Sequence, residues 1–250
     1  MGPVENRASD ANANLRIQER PIKEKNQKRG SQWLRFLTYT ALLGAIIVVG
    51  SSASADDIPP MREFQIDAQA TTLTVRLYPK GLFSVFSHDH LLVAKGIAGR
   101  ILYDVADVTR SSLQLSIPVE SIEVDPTDAR EREGISGVFD EADRQSIRET
   151  MLSEEYLHSA KYPRIVVTTD RLEGELPRLK LALNLRIKQT EGTLMVPAKV
   201  VIDGDTIRVT GEVTLVQSEH GVKPFSDWGG TLAVEDEILV RFQILARETQ

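Results

Sequence analysis

The residues best suited to chemistry lie in one stretch, Gly81 to Gly96 (GLFSVFSHDHLLVAKG), which holds two of the chain's four histidines. On an extended segment His88 and His90 point to the same face. Two imidazoles at that spacing can reach one metal ion. Asp89 points the other way, and a third ligand has to come from His158, His220 or a distant carboxylate. A metal- or haem-associated role through His88 and His90 therefore stands as an alternative reading, and no metal or cofactor is assigned. Ser87-His88-Asp89 contains the letters of a hydrolytic triad. Neighbours on a strand face opposite sides, however, so these three cannot form one with each other. There is no G-x-S-x-G and no cysteine, which removes the usual nucleophile signatures. No enzyme activity is expected. The same polar residues could instead cap a bend at a barrel rim, or orient the head group of an apolar ligand at a cavity mouth.

The second stretch of interest is Gln217 to Thr231 (QSEHGVKPFSDWGGT), rich in turn formers and carrying His220, Phe225 and Trp228. Aromatic residues on a loop between strands either cover a cavity as a lid or plug the end of the core.

The elements that must position these stretches are strands. Thr71 to Tyr78, Ser111 to Ile122, Leu179 to Ile187, Leu194 to Ile202, Ile207 to Leu215 and Ile238 to Ala246 all alternate apolar and polar residues, the period of a half-buried strand. Asp203-Gly204 between two of them signals a two-residue hairpin. Shorter candidates are Phe64 to Asp67, Leu91 to Tyr103 and Ile165 to Thr169. Eight or nine strands with one wet face each predict an antiparallel sheet in a meander, closed as a barrel or folded as a sandwich. One helix is expected between Phe139 and Leu157, from Ala142, Ile147, Met151 and Leu152, with Asp140 as cap and Pro163 as stop. Ser153 starts a further short turn. Asp125 to Gly137, with Pro126, Gly134 and Gly137, reads as a mobile loop.

The first fifty-five residues stand apart. A basic, polar segment precedes the apolar run Phe36 to Val49 and a small-residue exit ending at Ala55. That is the layout of an export signal cut after Ala55, with an uncleaved anchor helix over residues 36–53 as the alternative. Either way the rest of the chain is expected outside the cytoplasm, periplasmic or secreted. Residues 1–55 hold eight of the 30 Lys+Arg and four of the 36 Asp+Glu, which leaves 22 basic and 32 acidic residues and a net charge of −10. An acidic surface argues against nucleic acid and against docking on anionic lipid. The absence of cysteine means that the fold uses no disulfide.

In order along the chain, Phe64-Gln65-Ile66-Asp67, Ser84-Val85-Phe86-Ser87-His88, Gly96 to Ile101, Val119-Glu120-Ser121-Ile122, Met151-Leu152 with Tyr156, and Lys161-Tyr162-Pro163-Arg164-Ile165 resemble the motifs of the YceI-like family. The resemblance covers about residues 63–248. It departs from the family's pattern in the His-Asp-His triplet, in a longer segment between Asp125 and Ser146, in Arg148 to Leu152, and in a strand at Leu183 to Lys188 that lacks a glycine. It implies one lipocalin-like antiparallel β-barrel with one or two short helices over residues 56–250, holding a polyisoprenoid or fatty-acyl chain, as a carrier or sequestering module. The residues then expected at the ligand are Phe83 and Phe86 as lining and His88 and His90 at the mouth. Leu115, Ile117, Leu183, Leu185, Val240 and Phe242 come from the strands, and Phe225 and Trp228 from the late loop. A barrel without ligand, serving as a stress or interaction module, is the remaining alternative. A homodimer is left open.

Overall fold

The computed structural model describes residues 61–81 and 88–249. The export or anchor segment, Phe83 and Phe86 lie outside the described residues. Among the described residues no helix is long and apolar enough to cross a membrane.

The sheet is antiparallel throughout and closes on itself. Its strands are β1 (Arg62–Ile66), β2 (Thr72–Lys80), β3 (His90–Ala94), β4 (Ala98–Tyr103), β5 (Ser112–Pro118), β6 (Ile122–Val124), β7 (Arg164–Glu175), β8 (Arg178–Ile187), β9 (Thr190–Asp203), β10 (Thr206–Val216), β11 (Ser226–Asp227) and β12 (Leu232–Glu248). β1 and β2 follow one another along the same side of β12: Ile66 pairs with Ala246 and Thr72 with Gln243. β3 pairs with β2 and β4 with β1, while β5 pairs with β4 and β6 with β3. The first three staves of the barrel are thus each broken into two pieces. With β7, β8, β9, β10 and β12 they make an eight-stave antiparallel barrel, the size at which an interior is either filled by side chains or holds one small ligand.

The breaks are why Leu91 to Tyr103 and Ser111 to Ile122, expected as single strands, each divide. After β1, Asp67 Oδ1 accepts the amides of Gln69 and Ala70 at 3.1 Å, a local turn of the kind Asp favours. Between β3 and β4 the chain turns at Gly96, whose φ of 60° suits glycine. Between β5 and β6 a 3-10 turn spans Val119–Ser121. The Ser121 hydroxyl donates to the carbonyls of Lys95 and Pro118, which ties the last two breaks together. At each break the inward phase of the alternation shifts by one residue, from Ile66 to Leu73, from Leu92 to Ile97 and from Ile117 to Ile122.

The longer strands follow their pattern closely. In β8 Leu179, Leu181, Leu183, Leu185 and Ile187 are buried, while Lys180, Asn184 and Arg186 face water. The β9–β10 hairpin differs from expectation by one residue. Asp203 pairs with Thr206, so the two-residue loop is Gly204-Asp205, with Gly204 at φ 56°.

Helix α2 (Glu141–Leu152) forms where the apolar spacing places it. Asp140 caps it by accepting the Asp143 amide at 2.8 Å, which satisfies one of the free donors of the first turn. The segment from Asp125 to Gly137 is no mobile loop. It contains helix α1 (Thr127–Arg132), and Ala129 and Ile135 pack on Leu91 and Val93. Those two are the outward residues of β3, since His90 and Leu92 face the interior. The main core, around Phe64, Ile97, Ile101, Leu181, Val196, Ile207 and Ile244, fills the barrel near β1 and β4.

Candidate functional site

The core does not fill the whole barrel. Leu73, Val75 and Leu77 of β2 point inward yet are only half-buried, because they face empty space. The space is a cavity of about 420 Å³ walled by residues of β2, β3, β5 and β7 to β10, of β12 and of α2. Its wall is a continuous surface of Leu, Ile and Val, and its polar side chains are His90, Ser146, Thr150, Tyr156, Gln217 and Lys223. Such volume and lining are those of a site for one small, mostly apolar molecule.

One end of the cavity meets the main core. The other is covered by two segments that meet across it. α2 and the turn after it contribute Ile147, Met151, Tyr156 and Leu157 to the wall, and the β10–β12 connection contributes Val222, Lys223 and Phe225. Where they meet, the rings of Tyr156 and Phe225 lie 6.1 Å apart, and Lys223 Nζ donates to Glu155 at 2.5 Å. Burial raises the Tyr156 hydroxyl above its ordinary value of 10.0, with the Glu155 charge adding to the effect, so the hydroxyl keeps its proton. No residue of α2 is buried, so this cover is held by few contacts.

At the same end a buried polar cluster fixes His90. Its Nδ1 lies 2.6 Å from Asp125 Oδ2, and the other Asp125 oxygen accepts the Leu91 amide at 2.8 Å and Arg130 at 2.5 Å. Asp125 is 0% and Arg130 3% exposed. Arg130 also donates to the carbonyls of Asp89 at 2.7 Å and Ser136 at 2.5 Å, and lies 4.8 Å over the ring of Phe139. Burial works against the charge on Asp125. The hydrogen bonds from His90, the Leu91 amide and Arg130 outweigh it and hold the carboxyl below its ordinary value of 3.8. The carboxylate is therefore ionised and accepts the proton on His90 Nδ1. Burial of so many charged groups is sustained only because each is paired and hydrogen-bonded.

Of the residues expected at a ligand, His90, Leu115, Ile117, Leu183, Leu185, Phe225, Val240 and Phe242 line the cavity. His88 does not. It packs against Gly137 and the edge of Phe139. The shared face expected of His88 and His90 requires extended chain, and β3 begins only at His90. Phe83 and Phe86 lie outside the described residues, and the Trp228 side chain is not described either. Of the histidines considered as further metal ligands, His158 packs on Tyr162 and His220 is buried beside Gly192. Among the described residues no group of three or more His, Cys, Asp and Glu side chains could hold a metal ion. Sequence reasoning missed Asp125 and Arg130, which are five apart and carry no motif. It also missed Tyr156 and Lys223 as wall residues, since their places follow from how two loops meet.

Residues 64–246 match the model of the family described as YceI-like domain. Comparison with curated proteins finds no match. Among solved structures the chain is similar to BcnA of Burkholderia cenocepacia, at 16% identity and a TM-score of 0.56, over 72% of this chain and 98% of that one. It is also similar to a polyisoprenoid binding domain from Saccharophagus degradans implicated in plant cell wall breakdown, at 14% identity and a TM-score of 0.51, over 76% of this chain and 100% of that one. At such identities the likeness is one of fold.

Proposed function

Because this chain belongs to the YceI-like family, we propose that it is an exported binding module that carries or sequesters one isoprenoid or acyl chain inside its barrel. The observation that carries this reading is the apolar cavity of about 420 Å³ in a barrel whose far end holds the main core. An apolar chain in a space of this size gains dispersion contacts with the Leu, Ile and Val side chains of its wall. Each methylene moved from water into it contributes about 0.8 kcal/mol. The polyisoprenoid-binding description of the domain from Saccharophagus degradans supports the same ligand chemistry. Binding rather than catalysis is supported by a wall whose polar groups, among the described residues, are few. Export rests on the layout of residues 1–55, a basic segment followed by an apolar run, and an uncleaved run would tether the barrel to the membrane.

Native mass spectrometry of the protein purified without organic extraction tests the binding reading. The expected result is a bound apolar molecule at one per chain, removed by solvent extraction and replaceable by an added chain. A protein that takes up no isoprenoid or acyl compound would refute it.

A further inference from the structure

The cavity's size and the charge of its wall restrict the ligand further. A cavity of about 150 Å³ takes one benzene, roughly 25 Å³ per carbon. At that packing about 420 Å³ takes roughly seventeen carbons. A forty-carbon polyprenyl chain would need about 1,000 Å³ at the same packing. At one end the cavity meets the core, where a further space of about 50 Å³ adjoins it across Leu113, Leu181 and Val209, room for roughly two more carbons at the same packing.

Among the described residues the polar side chains of the wall include no unpaired charge. Lys223 is its one ammonium and already donates to Glu155 at 2.5 Å. Ser146, Thr150, Tyr156 and Gln217 are uncharged. Behind His90, the charges of Asp125 and Arg130 cancel at 2.5 Å. An anionic head group would therefore enter with no free cation to meet it, at a large desolvation cost. What the wall offers instead is His90. The tautomer that donates Nδ1–H to Asp125 carries its lone pair at Nε2. Nε2 has no hydrogen-bond partner among the described residues, and the ring is held by Asp125, which the Leu91 amide and Arg130 hold in turn. Such a support makes a fixed acceptor rather than a mobile one.

We propose that the cavity selects one chain of about seventeen carbons with an uncharged, hydrogen-donating head, a long-chain alcohol or primary amide, whose O–H or N–H is received by His90 Nε2. This rests on the reading that the cavity binds an apolar chain at all. The test uses the purified protein stripped of lipid and competition against a fluorescent chain. Octadecanol, octadecanamide, stearate and octadecane are compared, with geranylgeraniol, its diphosphate and the forty-five-carbon prenol solanesol. The alcohol and amide should bind at least tenfold more tightly than the carboxylate, and geranylgeraniol more tightly than its diphosphate or solanesol. The alcohol should exceed the hydrocarbon by about three- to tenfold, the worth of one neutral hydrogen bond, and H90L should erase that margin while octadecane still binds. If H90L does not fold, the head-group series on the unaltered protein decides alone. Equal or tighter binding of the carboxylate, the diphosphate or solanesol overturns the inference, as does an alcohol preference that survives in H90L. If none of the compounds binds, the binding function itself falls, and this inference with it.

Discussion

Replacing Arg130 with Met should destabilise the protein more than almost any other change outside the main core. The guanidinium is 3% exposed and pairs with Asp125, which is fully buried. Met keeps much of the volume and the contact with Phe139 but strands the carboxylate, a loss of about 3–5 kcal/mol for a buried pair. The carbonyls of Asp89 and Ser136 also lose their donor. For a domain of this size each kcal/mol moves the melting temperature by about 2–4 °C, so R130M should melt roughly 6–20 °C lower. Calorimetry or circular dichroism measures this directly. The double variant D125N/R130M then separates stranded charge from lost packing. Asn tolerates the left-handed backbone of Asp125, at φ 48°, and still accepts the Leu91 amide, so at least half of the loss should return. The sign of the pH dependence follows from the lowered carboxyl of Asp125. A carboxyl depressed on folding contributes stability above its unfolded value, near 3.8, and loses it as pH falls through the lower folded value. The advantage of the unaltered protein over D125N should therefore be full at pH 6 and close as pH drops below about 4. An R130M protein within 2–3 °C of the original (about 1 kcal/mol), or a double variant no better than R130M, would refute this account of the cluster.

Two further changes separate cavity from scaffold. V240W projects an indole into the cavity, beside Val213 across the β10–β12 pairing; chain binding should weaken at least tenfold, measured by probe displacement, while the melting temperature changes by only a few degrees, and unaltered binding would show that the ligand lies elsewhere. G99A places a methyl where a Cβ would sit 2.0 Å from the Gln114 carbonyl oxygen, at φ 155°. Backbone of a paired strand cannot move aside, so denaturant unfolding should register a loss of about 2–3 kcal/mol or more, and a loss below about 0.5 kcal/mol, the range of surface substitutions, would mean that the β4–β5 ladder yields there.

The alternation of Leu179 to Ile187 or Ile207 to Leu215 determined antiparallel strands with one inner face, because a side chain's side on a strand is a matter of counting by two. The helix after Asp140 was legible for a similar local reason, a cap followed by apolar spacing. The ordered motifs from Phe64 to Ile165 pointed to the family that the match over residues 64–246 establishes. Local pattern did not show that three staves are each cut in two, since alternation resumes after the cuts at Asp67, Gly96 and Val119, and the one-residue shift of its inward phase becomes visible only against the barrel interior. Nor could it show that Asp125 to Gly137 folds onto the outer face of β3, because Leu91 and Val93 look like any buried strand residues until something is seen to cover them.

The candidate site divides along the same line. The apolar identity of Leu115, Ile117, Leu183, Leu185, Val240 and Phe242 as inward residues is written in the sequence. Whether inward residues touch each other or enclose a space is not, because that depends on the closure of the whole ring. The His-Asp-His triplet shows the point most directly. The sequence placed two histidines together, and their spacing alone made them equivalent. The tertiary structure separates them. β3 starts at His90, so only that ring is aimed inward, and an aspartate thirty-five residues away, charged and buried against Arg130, fixes which of its nitrogens faces the cavity.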